Sequence, residues 1–429
     1  MFKNEVAEFI YKRTYSRWIE QEGRREEWPE TIERFIDFLI SKRGKNIPEK
    51  TIRKIRKYMT EFAVMPSMRF LWSSGPAAEK DNTVIYNCSF AKLNCVEAFA
   101  ECLHILMCGT GFGFSVEAEE VEKLPSIPEI KSGKDIAREI IEDSREGWAD
   151  SVKILMNSLY EGQNLYFDYS QLRPEGARLS TMGGRSSGPQ PLIKLHDFLR
   201  ETMHNAQGRK LTTLECHDIA NQIAEIVVAG GVRRSSQISL SDLDDEDMRH
   251  AKDWPFPIRR AMANNSAIYR DQPTAADFLV EWGVLAKSGS GERGIFNLKS
   301  AQNQAPSRRY APLIQGTNPC GEIMLRDMEF CNLSEVVVRE DDDLDTLLDK
   351  VETATWLGVL QSTFTDFPYL RKEWSKNCGV ERLLGVSLTG QMDNPSLMNS
   401  EVLKALKSRV IRISRKASTA LGVNMPVAT

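Results

Sequence analysis

The sequence predicts an α/β fold behind a helical N-terminal region, on three observations. Residues 1–62 carry apolar side chains at helical spacing. Helix-length and strand-length segments then alternate through residue 356, the pattern of an α/β protein. The 429 residues are 41% hydrophobic and 27% charged, the balance of an ordinary globular chain whose length suits one large domain with an appendage. Taken in order, Ile32, Phe35, Ile36 and Leu39 repeat at i, i+3, i+4, i+7, and Ile52, Ile55 and Phe62 form a second stripe, with Pro48 suited to that helix's first turn. Pro66-Ser67-Met68-Arg69 breaks the pattern before a small-residue turn at Ser73-Ser74-Gly75-Pro76. Apolar segments at 83–91 and 105–117 flank a short helix around 96–106. The charged, turn-rich stretch 118–147 reads as a surface excursion, and Trp148, Val152, Leu155, Met156 and Leu159 mark a long amphipathic helix. A Gly/Ser/Pro-rich stretch at 170–192 precedes helices over 193–206 and 217–228, and Gln237-Ile238-Ser239-Leu240 alternates as a strand. Residues 400–420 form a basic amphipathic helix, followed by a turn feeding a strand.

Composition excludes several function classes. A net charge of −4 argues against a nucleic-acid-binding face, which needs a basic surface. No apolar run reaches the ~20 residues of a membrane span, and the opening residues lack the apolar core of a secretory signal. Eight cysteines, at 88, 95, 102, 108, 216, 320, 331 and 378, are too few and too scattered for a disulfide framework. No Cys-x-x-Cys occurs, which weakens a simple thiol–disulfide oxidoreductase, and five scattered histidines form no zinc pattern, so no metal site is expected. These thiols suit a reducing cytoplasm, where most free cysteines serve as small buried apolar residues.

Two of the cysteines stand apart. Cys320 lies in Asn318-Pro319-Cys320-Gly321-Glu322 and Cys331 in Phe330-Cys331-Asn332. Pro319 and Gly321 exclude an ordinary helix or ladder strand and favour a tight, exposed loop. An amide two residues before the thiol and a carboxylate two after it can converge on one small polar substrate. This pair of motifs resembles the active-site loop of the ribonucleotide reductase large chain. The proline form resembles the adenosylcobalamin-dependent class, since the diiron-partnered class usually carries Leu at the position of Pro319. Tyr86-Asn87-Cys88 resembles the family's first barrel strand with its reducing cysteine.

The resemblance, which runs from about residue 64 to 429, implies a ten-stranded α/β barrel, here incomplete, made of two five-stranded parallel half-sheets. Residues 1–75 would be the helical region and 76–429 the first half-barrel and the start of the second, with the radical loop near 317–333. It implies a thiyl radical at Cys320 that takes the 3′ hydrogen of a ribonucleotide. Glu322 would take the 3′ hydroxyl proton, and Asn318 would hold the sugar hydroxyls. Cys88 and Cys331 would supply two electrons and end as a disulfide. The implied cofactor is adenosylcobalamin. The implied partners are a ribonucleoside triphosphate or diphosphate, a deoxynucleotide effector, a thioredoxin-like reductant and a separate C-terminal half of the reductase, with no membrane or nucleic acid. That half would carry the remaining strands, a phosphate-binding segment and a cysteine-bearing tail, because an open barrel leaves unpaired backbone groups at its edges. The alternative is a non-catalytic nucleotide-binding or effector-sensing fragment that completes a partner chain.

Further residues follow from the same resemblance. Ser67 and Asn87 would face substrate. Gly109-Thr110-Gly111-Phe112-Gly113 is Gly-x-Gly-x-Gly and not the dinucleotide fingerprint, and Gly109 and Gly111 would lie beside substrate. Gly183, Gly184 and Arg185 fall in a loop similar to the one that links effector binding to base choice. Gly230-Gly231-Val232-Arg233-Arg234-Ser235 is characteristic of the family but receives no catalytic role.

Overall fold

The computed structural model describes residues 2, 4–131, 138–178, 185–229 and 236–429. Helices α1 (Glu5–Thr14), α2 (Trp28–Arg43) and α3 (Glu49–Thr60) come first, then strand β1 (Val64–Met65) and helix α4 (Met68–Ser73). The apolar stripe of α2 is the reason it forms: Ile32, Phe35, Ile36 and Leu39 are all buried, while Glu27 and Glu30 close a capping box at its start. Pro48 stands one residue outside α3, as its N-cap. β2 (Cys88–Lys92), α5 (Val96–Met107) and β3 (Gly111–Ser115) follow. Then come β4 (Arg138–Ile140), α6 (Arg145–Tyr160), β5 (Tyr166–Asp168), α7 (Gln190–Asn205), α8 (Thr213–Ala229) and β6 (Gln237–Asp242). β7 (Ala263–Ile268), α9 (Ala275–Ser288) and β8 (Gly294–Phe296) lead to a hairpin of β9 (Gly316–Thr317) and β10 (Met324–Leu325). The chain closes with β11 (Leu333–Val337), α10 (Leu344–Gln361), α11 (Lys372–Glu381), β12 (Gly385–Thr389) and α12 (Ser400–Leu421). Among the described residues, no helix is long and apolar enough to cross a membrane.

These elements gather into two compact units, one of Met1–Asn87, Pro306–Arg309 and Phe330–Thr429, the other of Cys88–Ala305 and Tyr310–Glu329. In the first, β11 pairs in parallel with β12 and antiparallel with β1. Its core is aromatic: Phe70 meets Phe35 edge-on at 5.0 Å, and Phe330 lies 4.7 Å from Trp374. In the second, five parallel strands lie in the order β8-β7-β6-β3-β2, the half-sheet expected of the barrel. Parallel strands cannot be joined by tight hairpins, so α5 links β2 to β3 and α9 links β7 to β8.

The register of β2 on β3 sets the site. Cys88 stands opposite Gly111, Phe90 opposite Gly113 and Lys92 opposite Ser115. Along β3 the side chains alternate in kind as well as in face. Phe112 and Phe114 stack at 6.3 Å, and Phe114 lies 6.1 Å from the ring of His217 on α8. Gly111 and Gly113 take the other face and leave room there. A Cβ on Gly113 would overlap the Thr317 carbonyl oxygen, and one on Gly111 would sit 3.1 Å from Pro319 Cγ and 3.4 Å from Cys88 Sγ. The Gly-x-Gly-x-Gly run is therefore a seat for the β9–β10 hairpin.

Candidate functional site: a thiol on a glycine-seated turn

The hairpin presents its tip as a tight turn. Gly316 pairs with Leu325 and Thr317 with Met324, and the Gly321 amide donates to the Asn318 carbonyl at 2.9 Å. Pro319 occupies the second turn position, where its fixed φ is favoured, and Gly321 the fourth, at φ 83°. Cys320 lies between them at the apex, exposed to solvent. Below it Asn318 is fully buried. Its Oδ1 accepts from the Ile323 amide at 2.9 Å, and its Nδ2 donates to Glu322 Oε1 at 2.8 Å. Thr317 Oγ1 donates to the Ile323 carbonyl at 3.0 Å, bracing the same strand pair. The amide and the carboxylate flanking Cys320 are thus hydrogen-bonded to each other.

Three contacts pin the hairpin to the sheet. Phe90 fills the space a side chain on Gly316 would need, the Thr317 carbonyl crosses Gly113, and Pro319 rests near Gly111. Cys88 Sγ shares the Gly111 corner with Pro319, so one expected reducing thiol and the radical loop converge there. Cys88 is half-buried at the start of β2. Asn87 precedes it and is also half-buried. Cys331, between Phe330 and β11 in the first unit, is fully buried.

The remaining expected residues have varied surroundings. Ser67 is the N-cap of α4, accepting from the Phe70 amide at 3.2 Å and donating to the Ile85 carbonyl at 3.2 Å. Gly109 ends α5 at φ 77°, its amide donating to the Leu106 carbonyl at 2.8 Å. Arg185 forms an isolated antiparallel bridge with Arg178, and its Nη1 donates to the Gly176 carbonyl at 2.8 Å. Gly183, Gly184 and residues 230–235 lie outside the described residues.

The thiols differ in character. Burial raises the pKa of Cys102 and Cys216 well above the usual thiol value, which leaves them as inert core groups. Within residues 138–205 the sequence marked the two helices but not the strands between them or the buried His196. Here β4 and β5 pair in parallel, and His196 bridges Ser151 Oγ at 2.9 Å and Tyr169 Oη at 2.7 Å. Burial, with help from Arg200, holds His196 down to about 3.

Comparison with known proteins places this architecture. Residues 1–76 match the ribonucleotide reductase alpha domain, and residues 116–203 match the insertion domain of B12-dependent ribonucleotide reductase. An adenosylcobalamin-dependent ribonucleoside-triphosphate reductase of Levilactobacillus brevis is 28% identical over 493 aligned positions, covering 95% of this chain. The chain is homologous to the adenosylcobalamin-dependent ribonucleotide reductases. The reductase of the same name from Lactobacillus gasseri is 30% identical over 474 positions, covering 91% of this chain. The chain spans 63% and 62% of the length of these two reductases. The crystal structure of a B12-dependent, class II ribonucleotide reductase superposes with a TM-score of 0.81 at 24% identity, over 98% of this chain and 71% of that one. The class Id reductase alpha subunit of Actinobacillus ureae superposes at 0.60 and 13% identity, over 99% and 69%. The fold is therefore an α/β fold of the reductase barrel type, incompletely formed, with a helical N-terminal region.

Proposed function

We propose that this chain carries the radical-loop part of an adenosylcobalamin-dependent ribonucleotide reductase, acting on ribonucleoside triphosphates. The observation that carries the reading is the exposed turn at Cys320, with Asn318 hydrogen-bonded to Glu322 and the Cys88 sulfur beside the same glycine. What adenosylcobalamin needs from this chain is open access to the Cys320 sulfur. Cys320 is exposed, and a Cβ on Gly321 would meet nothing within 4 Å, so the residues at the tip fit that demand. When bound, the cofactor supplies the radical equivalent that makes a thiyl of Cys320. The thiyl takes the 3′ hydrogen of the ribose. The Glu322 carboxylate accepts the 3′ hydroxyl proton, and Asn318 steers that carboxylate through its 2.8 Å hydrogen bond. The 2′ hydroxyl then leaves as water, protonated by one of Cys88 and Cys331. That pair loses two electrons and becomes a disulfide, and Cys320 recovers the hydrogen.

The disulfide must be reduced again by a thioredoxin-like donor, which suits a reducing cytoplasm. Arg185, bridged to Arg178, stays a candidate for contact with a deoxynucleotide effector. Ser67, Asn87, Gly109 and Gly111 stay candidates for substrate contact. The chain spans 61–63% of the length of these reductase relatives, and a second polypeptide that completes the barrel is part of this proposal. The unpaired side of β12 is where its first strand would add. Val427 donates to the Glu381 carbonyl at 2.9 Å beside that edge, and the Leu384 amide to the Ala428 carbonyl at 3.4 Å.

The test is deoxynucleotide formation from a ribonucleoside triphosphate with adenosylcobalamin and a dithiol. This chain alone should give none, and adding the remaining reductase sequence as a separate polypeptide should restore turnover. Cys320→Ser in the completed system should abolish it, because a serine O–H bond is too strong for the radical to break. Glu322→Gln should slow it by the ~10²–10⁴-fold typical of a lost general base. Normal turnover by Cys320→Ser would overturn the thiyl reading.

A further inference from the structure

One cysteine that this mechanism leaves unused has the surroundings of a reactive thiol. Cys378 lies in the last turn of α11, buried, and its sulfur accepts the Phe330 amide at 3.5 Å. Phe330 immediately precedes Cys331, so the Cys378 sulfur reaches the backbone one residue from the second expected reducing thiol. The packing that holds it there is stiff. The Phe330 ring stacks on Tyr86 at 5.1 Å and meets Trp374, one turn before Cys378, at 4.7 Å. The Tyr86 hydroxyl is tied to the Phe364 carbonyl at 2.8 Å.

Arg382 is the charged neighbour of Cys378. Arg382 follows one turn later, turns the chain at φ 45°, and sends its amide to the Cys378 carbonyl at 2.9 Å. Burial lowers the Arg382 pKa, and charge on Tyr86 and on Cys378 pulls it back up, so the guanidinium feels the sulfur directly. Both Cys378 and Cys331 act in turn on Tyr86, whose pKa burial has already raised. A backbone amide and a guanidinium charge are thus the groups that act on the Cys378 sulfur.

We propose that Cys378 is a second disulfide partner for Cys331. Its thiolate attacks the Cys331 sulfur of a disulfide that Cys331 has already formed. The Cys331–Cys378 bond forms as the earlier bond breaks, and the first partner leaves as a thiolate that takes up the proton lost from Cys378. No outside oxidant is consumed, since two electrons pass from Cys378 to the departing sulfur. In turnover this would free Cys88 while the oxidising equivalent moves into α11. The proposal rests on the reading of Cys331 as a redox thiol.

The experiment uses the full chain and oxidised glutathione, followed by alkylation and peptide mapping. The Cys88→Ser chain removes the competing partner. There, a peptide linking Cys331 to Cys378 should dominate, with one glutathione released per cross-link. Adding Cys378→Ala should leave Cys331 as a stable glutathione adduct, with circular dichroism and melting unchanged. A Cys88→Ser chain in which Cys378 stays fully alkylatable, whether or not Cys331 carries glutathione, overturns the proposal. The wild-type chain separates the two readings. A Cys88–Cys331 peptide there, without exchange in the variant, sinks only the role of Cys378. A Cys331–Cys378 peptide with no Cys88–Cys331 peptide under any condition sinks the catalytic pairing instead.

Discussion

The sheets of the two units treat their strands in opposite ways. In the larger sheet, β3 is buried along its whole length, with phenylalanines filling one face and the β9–β10 hairpin filling the other. In the smaller sheet, β12 pairs on one side with β11, and four of its five residues are half-exposed, with the last exposed. The first is finished packing in which every missing side chain is matched by a neighbour. The second keeps Val386 and Leu388 half in water along an edge that no strand among the described residues pairs, and folded proteins normally cover or charge such edges. The difference separates a strand buried along its length from one whose apolar side chains stay half-exposed.

The largest effect should come from filling the glycine seat. A methyl at Gly113 would overlap the Thr317 carbonyl oxygen, which is backbone and cannot rotate away. Gly113→Ala should therefore cost about 3 kcal/mol or more by urea unfolding, the upper range for overpacking a core. Val386→Ala in β12 should cost clearly less. Equal losses would erase the distinction between the two sheets.

A smaller effect should follow pH. His217 is buried under β3, with its ring nitrogens 3.0 Å from Ser239 Oγ and Asn221 Nδ2. Burial first, then nearby positive charge at Lys252, Arg260 and Arg259, lowers its pKa from 6.5 to about 3. The unfolded chain thus binds a proton below pH 6.5 that the folded chain refuses. Stability from this group is complete above pH 6.5 and is lost as pH falls from there toward 3. His217→Gln should melt with a shallower slope between pH 7 and 4 than the wild type. Parallel slopes would show that His217 is solvated or charged in the fold.

Much of this architecture was legible because it rests on local signals. The stripes at 32–39 and 148–159 became α2 and α6, and the basic amphipathic run at 400–420 became α12. The tight exposed turn at Cys320 was legible from Pro319 and Gly321, but the hydrogen bond between Asn318 and Glu322 was not. Other features were illegible because they depend on distant partners. Nothing near Gly111 tells that residues more than 200 positions later will occupy its missing side chain. The parallel pair β4 and β5 is three residues long on each side and carries too few side chains to set a period. Ser67 shows the opposite problem, because a cap and a substrate contact need the same residue type and only the 3.2 Å bond to Phe70 reveals the cap.

The smallest effect on this chain alone should come from charging the open edge. Leu388 lies in β12 opposite Val336, a fully buried residue of β11, and is itself half-exposed. Leu388→Lys gives up part of one apolar contact, and the long lysine stem can lie along the surface with its ammonium in water. The melting free energy should drop by less than about 1 kcal/mol, near the range of surface substitutions. The same change should act strongly once the second polypeptide is present. A strand that adds to β12 would bury position 388 on both sides, and an unpaired buried ammonium is among the costliest groups a core can hold. Complementation titrated with the second polypeptide should therefore need a far higher concentration for Leu388→Lys than for the wild type, while Lys at exposed Thr389 should shift it little. If Leu388→Lys complements as well as the wild type, the edge of β12 is not where the sheet continues. The half-exposed apolar residues there would then belong to an ordinary protein surface.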